Sequence, residues 1–132
     1  MAINTAWLDV REFHMVFGHP APNYPQMQPS ERADARGKWI ESEVEELREA
    51  TTLTGQADAY LDIVYFAIGG LVELGVMPNR LWYLVHEANM AKRHPDGSVK
   101  RREDGKIIKP EGWVAPDEAI AEEVARQVAL AS

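Results

Sequence analysis

Asp62 stands in the middle of AYLDIVYFAIGGL, a run in which every other residue is apolar, a glycine or a hydroxyl-bearing tyrosine. Burying a lone carboxylate on such a helix is strongly unfavourable, so a partner is expected. Asp58 lies four residues earlier and falls on the same helical face. Two like charges on one stripe repel, and a divalent cation between them is one way to offset that. Glu43 and Glu46 have matching spacing, three residues apart beside the apolar stripe of Ile40, Val44 and Leu47. On two antiparallel neighbouring helices these four carboxylates would face one another as a hard oxygen cage. Such a cage suits magnesium, with manganese as the close alternative. The chain has no cysteine, which excludes disulfides and thiolate metal sites. A di-iron carboxylate bundle expects Glu-x-x-His pairs, and none occurs. Two structural alternatives stay open: Glu43 and Glu46 as a solvated acidic face, and Asp62 as half of a buried ion pair with an arginine such as Arg36.

Cations are concentrated in one segment. Residues 92–109 hold seven basic residues (Lys92, Arg93, Lys100, Arg101, Arg102, Lys106, Lys109) against Asp96, Glu103 and Asp104, a net +4 in a chain whose total is −7, leaving −11 elsewhere. This balance argues against a nucleic-acid polymer as partner. An acidic body with one basic arm suits a metal-bound polyanion clamped by cations, and equally a solvated tail. Asn89, Lys92 and Arg93 share a face at the end of a helical stretch, where an amide and two cations can hold phosphate oxygens or simply complement the helix C-terminus. Lys106 and Lys109 bracket Ile107 and Ile108, which points to an anchored strand end. His14, His86 and His94 show no metal-binding spacing. Phe13, Phe17 and Trp39 read either as core or as walls of a base-stacking pocket.

The elements that must position these groups follow from periodicity. Helices are predicted over Trp7 to Phe17, Ser30 to Thr52 with Ser30 as cap, Gln56 to Leu74, Arg80 to Arg93 and Asp117 to Leu130. Four prolines between His19 and Pro29 exclude regular structure there. Thr54 and Gly55 are expected to break the second helix from the third. Asp96-Gly97 and Asp104-Gly105 signal two turns. The expected fold is all-α: an antiparallel bundle of four to five helices with a short hairpin or ordered loop near residues 96–109. At 132 residues and 45% hydrophobic content, one domain spanning 1–132 is expected. No run of about 18 apolar residues is present, so a cytoplasmic protein without membrane association is expected. The Gln56 to Leu74 segment is apolar almost all round, more than one short chain readily covers, so a homo-oligomer is expected.

The segments WIESEVEEL and ADAYLDIVYFAIGGLVELGV resemble the two carboxylate helices of the all-α nucleotide pyrophosphohydrolases, the MazG-like and phosphoribosyl-ATP pyrophosphohydrolase-like superfamily. VHEANMAKR and DGSVKRREDGKIIKPEGW are similar to its small phosphoribosyl-ATP pyrophosphohydrolase-like members, phage-encoded ones included. The resemblance implies magnesium-dependent hydrolysis of a nucleoside triphosphate to the monophosphate and pyrophosphate. It implies magnesium coordination by Glu43, Glu46 and Asp62, and phosphate contacts from Asn89, Lys92, Lys106 and Lys109. Glu43 or Glu46 would orient the attacking water, and dimers or tetramers are implied. Two positions depart from the family pattern. Ser42 stands where Glu-Glu-x-x-Glu begins, and Ala59 stands three before Asp62 where Glu-x-x-Asp has its glutamate. Either Asp58 substitutes for that glutamate or the motif is centred on Asp58. A non-catalytic nucleotide-binding or assembly module on the same fold is the alternative.

Overall fold

A computed structural model describes residues 2–132. Five helices follow one another: α1 Ala2–Phe17, α2 Ser30–Glu49, α3 Leu53–Glu73, α4 Pro78–Met90 and α5 Asp117–Ala131. The expected all-α class holds. α2 lies along α3, α1 packs on α3 and α4, and α5 packs on α4. Residue pairing along α2 and α3 runs in opposite directions, Arg36 meeting Glu73 and Glu46 meeting Asp62, so the two form an antiparallel hairpin.

Several boundaries differ from those predicted. α1 begins well before Trp7, and its first turn is tied down because Asn4 Oδ1 accepts from the Asn79 amide at 3.0 Å. Ser30 is already helical and makes no capping bond. Pro29 takes that place, its carbonyl accepting from the amides of Arg32 and Ala33 at 3.0 Å each. Thr54 and Gly55 do not break the chain. The break is Ala50–Thr52, and Thr52 Oγ1 caps α3 by accepting from the Gly55 amide at 3.0 Å. α4 starts on Pro78, whose missing amide is harmless at a first helical position.

Trp7 and Val10 of α1 pack on Ile68 and Val72 of α3 to form the buried core. The proline-rich connection crosses the end of α3, with the Gln26 amide donating to the Leu74 carbonyl at 2.9 Å. Gly75 makes that crossing possible: its φ is +67°, and a Cβ there would collide with the Tyr24 carbonyl. α5 is fastened by Gln127, which accepts from the Met77 amide at 2.8 Å and donates to its carbonyl at 3.0 Å.

The buried charge is not where the sequence placed it. Asp62 is only half-buried, and Arg36 does not pair with it. Arg36 instead donates to Glu73 at 2.7 Å and to the Phe66 carbonyl at 2.7 Å. Glu73, 2% exposed, also accepts from Arg32 at 2.8 and 2.9 Å and from Gln28 at 3.3 Å. α3 buries Ala59, Ile68, Gly69, Val72 and Glu73, whereas Tyr60, Leu61 and Val64 stay more than half exposed. No single helix among the described residues is long and apolar enough to cross a membrane.

Candidate functional site

The hairpin of α2 and α3 brings three of the four predicted carboxylates together. One oxygen from each of Glu43, Glu46 and Asp62 lies within 4.8 Å of the other two. Helical geometry accounts for this: Glu43 and Glu46 are neighbours one turn apart, and Asp62 enters from the facing helix. Asp58, one turn earlier on α3, is exposed and outside that set, though its charge still bears on Glu43.

Like charges at this spacing must be compensated. The Glu43 carboxyl is raised to about 7, first by a hydrogen bond with Glu46, then by burial, then by the charges of Glu46, Asp62 and Asp58. Its Oε2 is shielded from solvent and has no protein donor. No lysine or arginine forms an ion pair with Glu43, Glu46, Asp58 or Asp62 among the described residues; the cations of α2 are taken by Glu73, Asp34 and Glu45. Three convergent carboxylates without a cation, one of them with an orphaned buried oxygen, are a donor set that fits a hard divalent ion.

Beside the carboxylates lies a pocket of about 180 Å³. Phe13, His19, Trp39, Tyr65 and Phe66 wall it, with His14 and Arg36 at its base. Trp39 precedes Glu43 by one turn of α2 and Phe66 follows Asp62 by one turn of α3, so the pocket adjoins the carboxylates at a spacing of about 6 Å along each helix. Its rings contact one another: Phe13 meets Tyr65 edge-on at 5.6 Å and His19 face-on at 6.0 Å. Two of the three aromatics singled out in the sequence reach it. Phe17 does not, being exposed and packed at a tilt against Phe13 with ring centroids 4.5 Å apart. Polar groups are present too. His14 donates from Nδ1 to the Pro20 carbonyl at 2.8 Å, and burial lowers its pKa, which leaves Nε2 as an acceptor. Arg36 Nε is buried without a partner. Gly69 admits both side chains, since a Cβ there would strike the Arg36 guanidinium and come to 3.0 Å from His14 Nε2.

The predicted phosphate contacts form a separate group. Lys92 donates to Asn89 Oδ1 at 2.8 Å, and Lys92 and Lys109 both lie over the Trp113 ring. Arg93 is exposed. Lys106 sits in an ordered loop whose strand character is one bridge, Arg101 to Ile107, and its amide donates to Asp104 at 3.1 Å. No hydrogen bond among the described residues joins this group to the carboxylates, because α4 packs on α1 and α5 and not along the hairpin's carboxylate stretch. Sequence reasoning missed Trp113, Arg32 and Glu73. Trp113 follows five basic residues after Ser98, and nothing in its local spacing marks it as their partner.

No curated protein matches the chain. The family described as phosphoribosyl-ATP pyrophosphohydrolase matches residues 10–89. That span takes in α1 from Val10, the whole hairpin with its carboxylates and pocket, and α4 to Asn89; the basic loop and α5 lie beyond it. Its members act as pyrophosphohydrolases on nucleotides. The chain therefore belongs to the phosphoribosyl-ATP pyrophosphohydrolase family, within the MazG-like nucleoside triphosphate pyrophosphohydrolase superfamily.

Proposed function

We propose that residues 1–132 act as one MazG-like domain that hydrolyses a nucleoside triphosphate, or a closely related nucleotide, to the monophosphate and pyrophosphate with magnesium. The observation that carries this reading is the convergence of Glu43, Glu46 and Asp62 beside an aromatic pocket. The three carboxylates would hold the ion, with Asp58 at the margin. Bound there, magnesium or manganese supplies charge neutralisation of the triphosphate and a more acidic water.

Glu43 Oε2, shielded and without a donor, is the natural acceptor for a proton from the attacking water, with Glu46 fixing its orientation. Attack at the α-phosphorus forms the new P–O bond as the bond to the bridging oxygen breaks, and the electron pair leaves with pyrophosphate. The ring walls of the pocket take the base by stacking, a contact every base offers. Asn89, Lys92, Arg93, Lys106 and Lys109 would receive phosphate oxygens. The exposed face of α3 at Tyr60, Leu61 and Val64 supports a homo-oligomer, dimeric or tetrameric. A cytoplasmic location suits such a substrate.

A magnesium-supplemented screen of ribo- and deoxyribonucleoside triphosphates with pyrophosphate detection tests the reaction. Asp62→Asn must abolish whatever turnover is found; full activity in that variant would refute the site. A second reading, a nucleotide-binding module without turnover, draws support from Ser42, whose hydroxyl bonds back to the Trp39 carbonyl at 2.7 Å, and from Ala59, buried at a position that offers no ligand. Calorimetric nucleotide binding with no product would favour it.

A further inference from the structure

We propose that Trp113 is a positioning residue that holds Lys92 and Lys109 as a paired clamp for the polyphosphate end of the substrate. The inference rests on the reading of the chain as a nucleotide pyrophosphohydrolase, and it concerns a residue outside the family match.

The argument starts at the end of α4. A helix leaves its last carbonyls without amide partners. Here the Lys92 amide turns to the Asn89 carbonyl at 3.2 Å, which frees the Ala88 carbonyl. Trp113 fills that role from 25 residues away, donating from Nε1 to the Ala88 oxygen at 2.8 Å. The indole thereby pins the far end of the basic loop to the helix that carries Asn89 and Lys92.

The ring then orders two cations. Lys109 Nζ lies 4.6 Å from its centroid and Lys92 Nζ 5.4 Å. Each ammonium is attracted by the electron-rich π system of the same ring. Neither is neutralised by a carboxylate: the only lysine in an ion pair among the described residues is Lys38. Arg102, by contrast, is consumed within its own turn by Asp104, Nε donating at 3.2 Å. Lys92 keeps its fixed position through Asn89 Oδ1 at 2.8 Å. A single rigid ring therefore sets the spacing of two unpaired ammoniums, an arrangement that favours a di- or triphosphate over a lone phosphate.

The test uses the full chain, the nucleotide it hydrolyses best and inorganic tripolyphosphate as a competing ligand. Trp113→Leu removes the ring face; Trp113→Phe keeps a smaller aromatic face and loses the N–H that reaches Ala88. Trp113→Leu is expected to raise KM about tenfold with kcat held within about twofold, and to weaken tripolyphosphate inhibition by the same factor. Trp113→Phe restores most of the loss. Lys92→Met raises KM in the wild-type background and adds less than about twofold in the Trp113→Leu background, as coupled residues do. Equal impairment of the Leu and Phe variants, a kcat loss with KM unchanged, or an undiminished Lys92→Met effect beside Leu would each overturn the clamp. Should Trp113→Leu fail to fold, the Lys92→Met and Lys109→Met pair decides: coupled losses support the clamp and additive losses overturn it. If no nucleotide is turned over, the functional reading falls, while calorimetry with tripolyphosphate still tests the clamp: weaker binding in Trp113→Leu than in wild type and Trp113→Phe supports it, and equal affinity in wild type and Trp113→Leu would overturn it.

Discussion

Arg36 donates to Glu73 at 2.7 Å across the end of the α2–α3 hairpin farthest from the connecting turn. The pair is buried on both sides, and Arg32 and Gln28 complete the carboxylate's acceptors. Desolvation opposes such a pair and full hydrogen bonding offsets it. Removing one partner strands the other. Glu73→Ala is expected to destabilise the fold by about 3–5 kcal/mol, read by urea denaturation. A change under about 1 kcal/mol would mean that Arg36 finds water or another acceptor.

The same cluster sets the acid limit. Glu73 is held below its usual range by Arg32 and Arg36, which outweigh the opposing effect of burial. His14 is lowered by burial and kept neutral. Both shifts act with one sign, because the unfolded chain takes up protons at higher pH than the folded one. His14 begins to cost stability as pH falls below its ordinary value near 6.5, and Glu73 follows below 4.5. Glu123, pulled to about 2 chiefly by Arg126, adds a loss between 4.5 and about 2. Glu43, raised to about 7, acts with the opposite sign in the absence of a divalent ion and adds stability as pH falls from about 7 to 4.5. Denaturation midpoints should therefore fall most steeply below 4.5, and His14→Gln should remove only the His14 loss below 6.5.

The helices and the convergence of Glu43, Glu46 and Asp62 are legible because both patterns are local: apolar residues at helical spacing and acids one turn apart define a face without reference to the rest of the chain, although Asp58, on the same spacing, falls outside the set. The hairpin needed only a short connection. Glu73 was not legible, since its partners Arg32 and Arg36 stand 41 and 37 residues away and nothing near it in sequence marks it as buried. Asp62 misled for the converse reason. Its apolar neighbours suggested burial, but Leu61 and Val64 are themselves exposed in the single chain. Trp113 was hidden similarly, because its role depends on a carbonyl 25 residues earlier.

Carboxylates gathered for an ion carry a cost when the ion is removed. In EDTA, Glu46→Gln and Asp62→Asn are each expected to raise the melting temperature by about 2 °C, since one member of a like-charge cluster is neutralised. Magnesium at about 100 times its Kd should raise the wild-type midpoint by several degrees and leave the Asp62→Asn midpoint where it was. Asp58→Asn, altering a group outside the converging oxygens, should keep most of that magnesium shift and lose no more than about threefold in turnover. A magnesium shift that survives Asp62→Asn but not Asp58→Asn would recentre the site one turn along α3.

The aromatic pocket makes a separable prediction, because it would hold the base and not the phosphates. Phe13 is the wall best suited to a test. It contacts His19 and Tyr65 and is not itself a partner in the Arg36–Glu73 and Arg32–Glu73 ion pairs. Stacking on an aromatic ring is worth about 1–3 kcal/mol, and losing one wall should weaken binding of the nucleoside monophosphate product by about tenfold. Inorganic tripolyphosphate has no base to stack. Its inhibition constant should be the same in Phe13→Ala as in wild type. Parallel losses for both ligands would show that the substitution disturbs the carboxylates through α3, and the pocket would then lose its claim to the base.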